Sequence, residues 1–300
     1  MEFLGEEVFD VVTARLAKTA RSPVKWTSPA RLSALSFLVL AVASWAYILA
    51  DDDSGFGDLV SAQSWNTAAE FAGELVGKGS DATPAFLRWS RWTETAELAY
   101  RTLAMSVLAI GIAGGGVLVT FLPAARNVAS DDVAATPSPV WRALYFLVRG
   151  VFIGTRGIPE LLLATIVVFF FSPGILPGAI ALGLHNYGIV GKLSAEVVEN
   201  LDPRPARALR TAGASRFQVL FYGIMPQALP QFLTYLLYRW EVVIRTTIVV
   251  GFVGAGGLGR EFRLDMSFFR YTDVVLLLVW YVLLVVAVDL VSMYLRRLAR

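Results

Sequence analysis

Between two long apolar runs the chain reads Leu201-Asp-Pro-Arg-Pro-Ala-Arg-Ala-Leu-Arg-Thr-Ala-Gly-Ala-Ser-Arg-Phe-Gln-Val-Leu-Phe-Tyr-Gly-Ile-Met-Pro-Gln-Ala-Leu-Pro230. Asp202 can cap a short helix that starts at Pro203, and Gly213 can end it in a left-handed conformation. Ser215 can cap the next helix, which Pro226 stops. The pattern predicts two short helices meeting at a tight corner. An ordinary interhelical loop would account for any one of these signals, but a segment of roughly 30 residues with its own caps is more often functional.

Outward from this segment the sequence turns apolar. Six runs, near residues 32–49, 96–122, 141–171, 174–193, 227–253 and 272–294, are long enough to cross a hydrocarbon core of about 30 Å, which takes roughly 20 helical residues. A composition of 56% hydrophobic and 17% charged residues makes lipid the solvent for most of the chain. The fold class expected is therefore an all-α membrane protein with about six transmembrane helices. The third run carries Gly154, Gly157 and Pro159, which predicts a kink or break whose freed backbone groups are satisfied inside a bundle.

Orientation follows from the placement of Lys and Arg, which short cytoplasmic segments hold in excess. With both termini inside, fifteen of the 26 fall in cytoplasmic segments, six outside and five within spans. The chain then divides into a cytoplasmic N-terminal segment 1–31, a first transmembrane anchor 32–50, a periplasmic segment 51–93 and a core 94–300 with its loop at 194–226. The stretch before the anchor places Phe3, Leu4, Val8, Val11 and Val12 at helical spacing, as a surface-lying or a cytosolic helix would. No small-residue cleavage pattern precedes Asp51, so the first run reads as an anchor and not as a removed leader. The outside segment opens on Asp51, Asp52 and Asp53; Trp65, Trp89 and Trp92 read as interface anchors or partner contacts.

Several chemistries are excluded. Cysteine is absent and His185 is the lone histidine, which leaves no thiolate site, no His cluster for a metal and no cysteine nucleophile. A net charge of +2 does not suggest nucleic-acid binding. Gly254-Ala-Gly-Gly-Leu-Gly259 matches the dinucleotide fingerprint but follows a membrane span where that fold needs a strand. Gly188-Ile-Val-Gly-Lys-Leu193 lacks the spacer and the hydroxyl residue of a phosphate-binding loop. Any ATPase must be another chain.

Ionisable residues inside spans are functional candidates because each costs about 2.5–3.5 kcal/mol at the bilayer centre on insertion scales. Pairing is the bland alternative: Glu97 with Arg101, Arg156 with Glu160 and Glu241 with Arg245 are each four apart and can meet on one helical face. Arg149 and Arg239 have no such partner, although Asp289 could neutralise either. Having no partner four residues away favours Arg239, and after it Arg149, as lining a path through the bundle. Arg156, Glu160, Tyr238, Glu241 and Arg245 complete the candidate pathway set. His185 reads as a hydrogen-bonded packing residue. Gly254, Gly256, Gly257 and Gly259 can bend at a gate or simply end the fifth span.

Ala206-Arg-Ala-Leu-Arg-Thr-Ala-Gly213, followed by Met225-Pro226, resembles the loop through which binding-protein-dependent ABC importer permeases meet their ATPase. That pattern is Glu-Ala-Ala, three residues, Gly, then a hydrophobic-x-Leu-Pro ending. Ala208, Gly213 and Pro226 agree with it; Arg207 stands at the glutamate, Leu209 at the second alanine and Met225 at the leucine. The resemblance implies coupling to an ATPase through Arg207, Ala208, Leu209, Gly213 and Pro226.

A closer resemblance, over about residues 92–296, is to the phosphonate importer permeases. It rests on Ala124-Ala-Arg-Asn127, Arg156-Gly-Ile-Pro-Glu-Leu-Leu162, Leu184-His-Asn-Tyr-Gly188 with Gly191-Lys-Leu193, Tyr238-Arg-Trp-Glu241 with Ile244-Arg245, and Gly251-Phe-Val-Gly-Ala-Gly-Gly-Leu-Gly259. It implies a homodimeric permease in a bacterial inner membrane. It also implies two ATPase subunits that hold ATP and magnesium, a periplasmic or lipid-anchored binding protein, and a phosphonate, phosphite or phosphate substrate. The rival readings are a permease for another small solute, an ion-coupled secondary transporter or channel, which would not need the capped loop, and an intramembrane enzyme. No nucleophile with a base supports the last.

Overall fold

The computed structural model describes residues 29–51, 55–59, 61–79, 83–130 and 139–299. The amphipathic stretch from Phe3 to Val12 and the aspartates at 52 and 53 lie outside them. Two units, Met1–Phe71 and Ala72–Arg300, are distinguished by their internal contacts. In the first, α1 (Pro29–Ala50) is apolar all round and exposed on every described face, as a helix solvated by lipid must be. Helix α2 (Phe56–Leu59) follows, and α3 (Ala62–Leu75) starts where the Ser61 hydroxyl accepts the Ser64 N–H at 3.1 Å.

In the second unit a 3₁₀ turn (Ala85–Leu87) leads into α4 (Trp89–Thr120), then α5 (Arg126–Ala129), α6 (Pro139–Gly157), α7 (Glu160–Phe170) and α8 (Ile175–Glu199). After them come α9 (Arg204–Thr211), α10 (Arg216–Gln218), a π-helical stretch (Val219–Ile224), α11 (Met225–Val250), a second π-helical stretch (Gly251–Ala255), α12 (Gly257–Ser267) and α13 (Tyr271–Leu298). Helix α4 begins seven residues before the expected run, so Trp89 and Trp92 belong to it. Trp92 is a packing residue: its indole donates to the Phe86 carbonyl at 2.9 Å and its ring lies 6.0 Å from that of Trp280. Helices α1, α4 and α13 are each long and apolar enough to cross a membrane, and five spans result if each bent pair counts as one. The remaining expected run, the fourth, is α8, 25 residues long, which at 1.5 Å per residue is about 37 Å. Its lower hydropathy has a structural cause, because α4, α6, α7 and α11 all pack around it and shield it from lipid.

Small residues on α8 permit that enclosure. A Cβ on Gly188 would lie 2.6 Å from the Phe152 carbonyl oxygen and 2.9 Å from the Arg156 nitrogen, so only glycine lets the α6 backbone come this close. Immediately beyond the contact the third run breaks as expected, but by 95°. That is more than a kink: α7, at 11 residues or about 16 Å, cannot span a bilayer alone. Pro159 has no N–H to continue α6 and caps α7 in an extended conformation, and the stranded Ile158 carbonyl accepts from His185 Nδ1 at 3.0 Å. His185 is thus the hydrogen-bonded packing residue expected, with its proton on Nδ1.

The capped segment also forms, with one correction. The Asp202 carboxylate accepts the Arg204 N–H at 3.0 Å, Gly213 is left-handed at φ 84°, and Ser215 and Gln218 complete a reciprocal capping box. The second helix is not short, and Pro226 does not stop it. The π-helical turn from Val219 to Ile224 absorbs the wider spacing, and Pro226 occupies the first turn of α11, where a missing N–H costs nothing. At the far end of α11 positive φ angles at Gly254, Gly256 and Gly257 turn the chain 63° into α12, and Leu258 N–H docks on the buried Thr102 hydroxyl at 2.9 Å.

The α6–α8 contact is directly testable. Gly188→Val should destabilise the detergent-solubilised protein by about 1–3 kcal/mol or prevent its folding, since the collision is with backbone. Gly154→Ala, whose Cβ would meet nothing within 4 Å, should leave the melting temperature unchanged or raise it.

Candidate functional site

The charges of α11 sort by face. Glu241 and Arg245 share one, as their spacing implies, yet they do not pair with each other. That face is covered by α13, whose Asp289 and Arg296, seven residues apart, also share a face. Arg245 therefore bonds Asp289 at 2.8 Å, and Glu241 bonds Arg296, which is steadied by the Ser292 hydroxyl at 2.9 Å. Asp289 is consequently spent on Arg245 and neutralises neither Arg149 nor Arg239. The pair Glu97–Arg101 does form within α4, at 2.6 Å. Arg156 and Glu160 make no ion pair with each other, because the 95° break between them removes the common helical face.

Arg149 sits near the α9 end of the bundle. It pairs with Glu199 and donates to the Ala124 carbonyl at 2.9 Å, while Glu199 also accepts the Arg126 N–H at 2.7 Å. The contact ties α6, α8 and the chain after α4 together.

Arg239 is held differently. Its Nε donates at 2.8 Å to Oδ1 of Asn186, a fully buried residue on α8, and Asn186 Nδ2 donates at 2.7 Å to the Leu182 carbonyl. Glu160, on α7, which packs on α11, forms no ion pair with Arg239. Two residues along α8 from Asn186, Gly188 abuts the backbone of Arg156, and the neighbouring His185 holds the α6–α7 break. The break, α8 and α11 thus bring Arg156, Glu160, His185, Asn186 and Arg239 to one region of the bundle. Tyr238, beside Arg239, is 59% exposed. Neither arginine contacts a carboxylate among the described residues, which leaves positive charge for an anion.

A second site lies on α9. Ala206 is buried against the first π-helical stretch, where the Gly223 surface fits its backbone, and Leu209 packs on the same cluster. The opposite face presents Arg207 and Ala208 to the exterior, together with Gly213 at the corner. Exposed Phe217 and Tyr222 flank them. Among the described residues no three His, Asp or Glu side chains converge as metal ligands. The α11–α12 turn places Gly254, Gly256, Gly257 and Gly259 together, with Gly259 so close to the Ile248 carbonyl that no side chain would fit.

Asn186, Glu199 and Arg296 were not singled out from sequence as charge partners. The one signal for Asn186 is a carboxamide in an apolar helix; the other two stand outside the expected spans, and nothing local links them to Arg149 and Glu241.

Residues 134–300, more than half of the chain, match the family described as the binding-protein-dependent transport system inner membrane component. The phosphite transport system permease protein PtxC of Stutzerimonas stutzeri is 35% identical over 264 residues, 88% of this chain and 87% of that one. The phosphate-import permease protein PhnE of Mycolicibacterium smegmatis is 38% identical over 163 residues, 54% of this chain and 29% of that one. Among solved structures, an inward-facing MetNI methionine ABC transporter aligns at TM-score 0.56 and 19% identity, over 69% of this chain and 96% of its own. An amino acid ABC transporter aligns at 0.55 and 18%, over 70% and 98%; at such identities the likeness is one of fold. With a buried α8 at the centre of the bundle, a capped helix presented at one end, and this match over most of its length, the chain belongs to the inner-membrane permease components of binding-protein-dependent ABC transport systems.

Proposed function

We propose that this permease carries a phosphorus oxyanion, in the phosphonate, phosphite and phosphate class, inward across a bacterial plasma membrane. It works as a homodimer with two ATPase subunits and an external binding protein. The observation that carries the substrate class is Arg239, a guanidinium within a span that is positioned by a neutral carboxamide and keeps its charge. The similarity to phosphite and phosphate permeases supports the same class. An anion crossing a bundle needs positive groups to offset its lost hydration, and weakly enough held to let it go. Both termini lie in the cytoplasm, consistent with the excess of Lys and Arg on that side. ATP and magnesium are held by the partner ATPase. This chain makes and breaks no bond.

On this reading ATP-driven closure of the partner subunits moves α9, and α10–α11, continuous with its corner, carries the movement toward Arg239. The glycines from Gly254 to Gly259 then contribute the bend at the outer gate.

Reconstitution with the cognate ATPase and binding protein in vesicles should give ATP-dependent uptake of phosphite, phosphonate or phosphate. Arg239→Gln should lower that uptake at least tenfold while assembly and melting temperature stay near wild type. A fall in stability parallel to uptake would make Arg239 structural and remove the assignment.

At the coupling end, Gly213→Val should uncouple ATP hydrolysis from uptake, because a β-branched residue resists φ 84°. Gly213→Asn, which tolerates that conformation, should retain coupling. Arg207→Glu should weaken association with the ATPase, since the arginine is read as facing an acidic group there; unchanged or tighter association would show that no such acid exists.

A further inference from the structure

Asn186 is fully buried and uses both ends of its carboxamide, with Nδ2 donating to the Leu182 carbonyl of its own helix and Oδ1 accepting from Arg239 Nε. The arrangement is unique: turning the amide over would set an NH₂ against a guanidinium and a carbonyl against a carbonyl. Arg239 thereby spends one of its five N–H donors, and among the described residues neither of its Nη groups donates a hydrogen bond. The two Nη groups form the edge of the fork that matches a pair of oxyanion oxygens.

Four other arginines within or beside these spans are held by carboxylates: Arg101 by Glu97, Arg149 by Glu199, Arg245 by Asp289 and Arg296 by Glu241. An aspartate at 186 would have the same shape and bond Arg239 more strongly, but it would cancel the charge. The stronger bond to Arg239 would be set against the lost donor to the Leu182 carbonyl, so for a purely structural role the two changes roughly offset. From this contrast we infer that Asn186 is a positioning residue, which aims Arg239 at the passing anion and, being neutral, leaves the positive charge for it. The inference rests on the proposed passage of an oxyanion beside Arg239. It adds that the neutrality of residue 186 is a requirement of transport, distinct from its hydrogen bond.

The test is Asn186→Asp in the full complex with its ATPase and binding protein, read by phosphite uptake per ATP hydrolysed and by melting temperature. The expected result is wild-type assembly, a melting temperature near wild type, and uptake reduced at least tenfold. Asn186→Asp combined with Glu160→Gln restores the local charge balance and should recover at least a third of the wild-type uptake. Wild-type uptake by Asn186→Asp, or failure of that variant to assemble, would overturn the inference. So would an equal loss in the double variant. If Arg239→Gln abolishes uptake while Asn186→Asp transports normally, the oxyanion reading survives and the role of Asn186 alone is lost. If Arg239→Gln transports normally, the reading beneath it fails.

Discussion

Lipid offers no hydrogen bonds, so a chain that breaks a helix inside a membrane bundle must supply its own partner for each backbone group it frees. At the end of α6 that constraint is met by one side chain, His185, which donates to the Ile158 carbonyl beside Pro159. The donor reaches the acceptor only because Gly188, one turn along on α8, lets the two backbones meet without an intervening Cβ. From this contact follow the 95° turn into α7, the placement of Glu160 near Arg239, and the burial of α8 among four helices. Replacing the glycine with any side chain would separate the donor from the carbonyl and expose both to an environment that satisfies neither.

The same low-dielectric surroundings govern the charges. An arginine within the bundle needs compensation, and α11 shows two solutions on two faces. Toward α13 it forms cross-helix ion pairs, Arg245–Asp289 and Glu241–Arg296, which fix the register of the two helices and leave no net charge. Toward α8 it meets a neutral carboxamide and keeps its charge. The first solution ties two helices together. The second keeps a polar, positively charged spot where α8, α11 and the α6–α7 break converge.

How much of this was legible in the sequence depends on the range of the interaction. Local chemistry was legible: the caps at Asp202 and Ser215, the left-handed Gly213, the break at Gly157–Pro159 and the pairing of Glu97 with Arg101 all act within a few residues. Interactions between helices were not. The i,i+4 spacing placed Glu241 and Arg245 on one face correctly, but a shared face gives each residue two possible partners, and the geometry of α13 decided between them. Pro226 misled for a related reason, since a proline stops an α-helix only if the chain has no π-helical turn with which to take up the misfit. The central position of α8 left a compositional trace, its unusual content of Gly and Ala with a lone Asn and His. That trace marks enclosure but does not say by which helices.

Helix α11 joins the two sites. With α10 and the π-helical turn before it, it runs on from the corner formed by α9 and Gly213, and from Pro226 it carries Arg239 on one face and Glu241 and Arg245 on another before ending at the glycine turn into α12. A continuous α-helix is stiff along its axis, whereas a π-helical turn and a run of left-handed glycines are places where the hydrogen-bond ladder is interrupted. The stiff length therefore lies between two points of weakness, one beside α9 and one at the opposite end. Its cross-helix ion pairs bind it to α13, while α4, α7 and α8 pack on its other faces. The contact toward α8 combines apolar packing, in which Val243 and Val250 share a cluster with Ala179, Ala181 and Leu182, with one side-chain hydrogen bond from Arg239 to Asn186 and no ion pair among the described residues, so α11 is tied to α13 by charge and to α8 by shape.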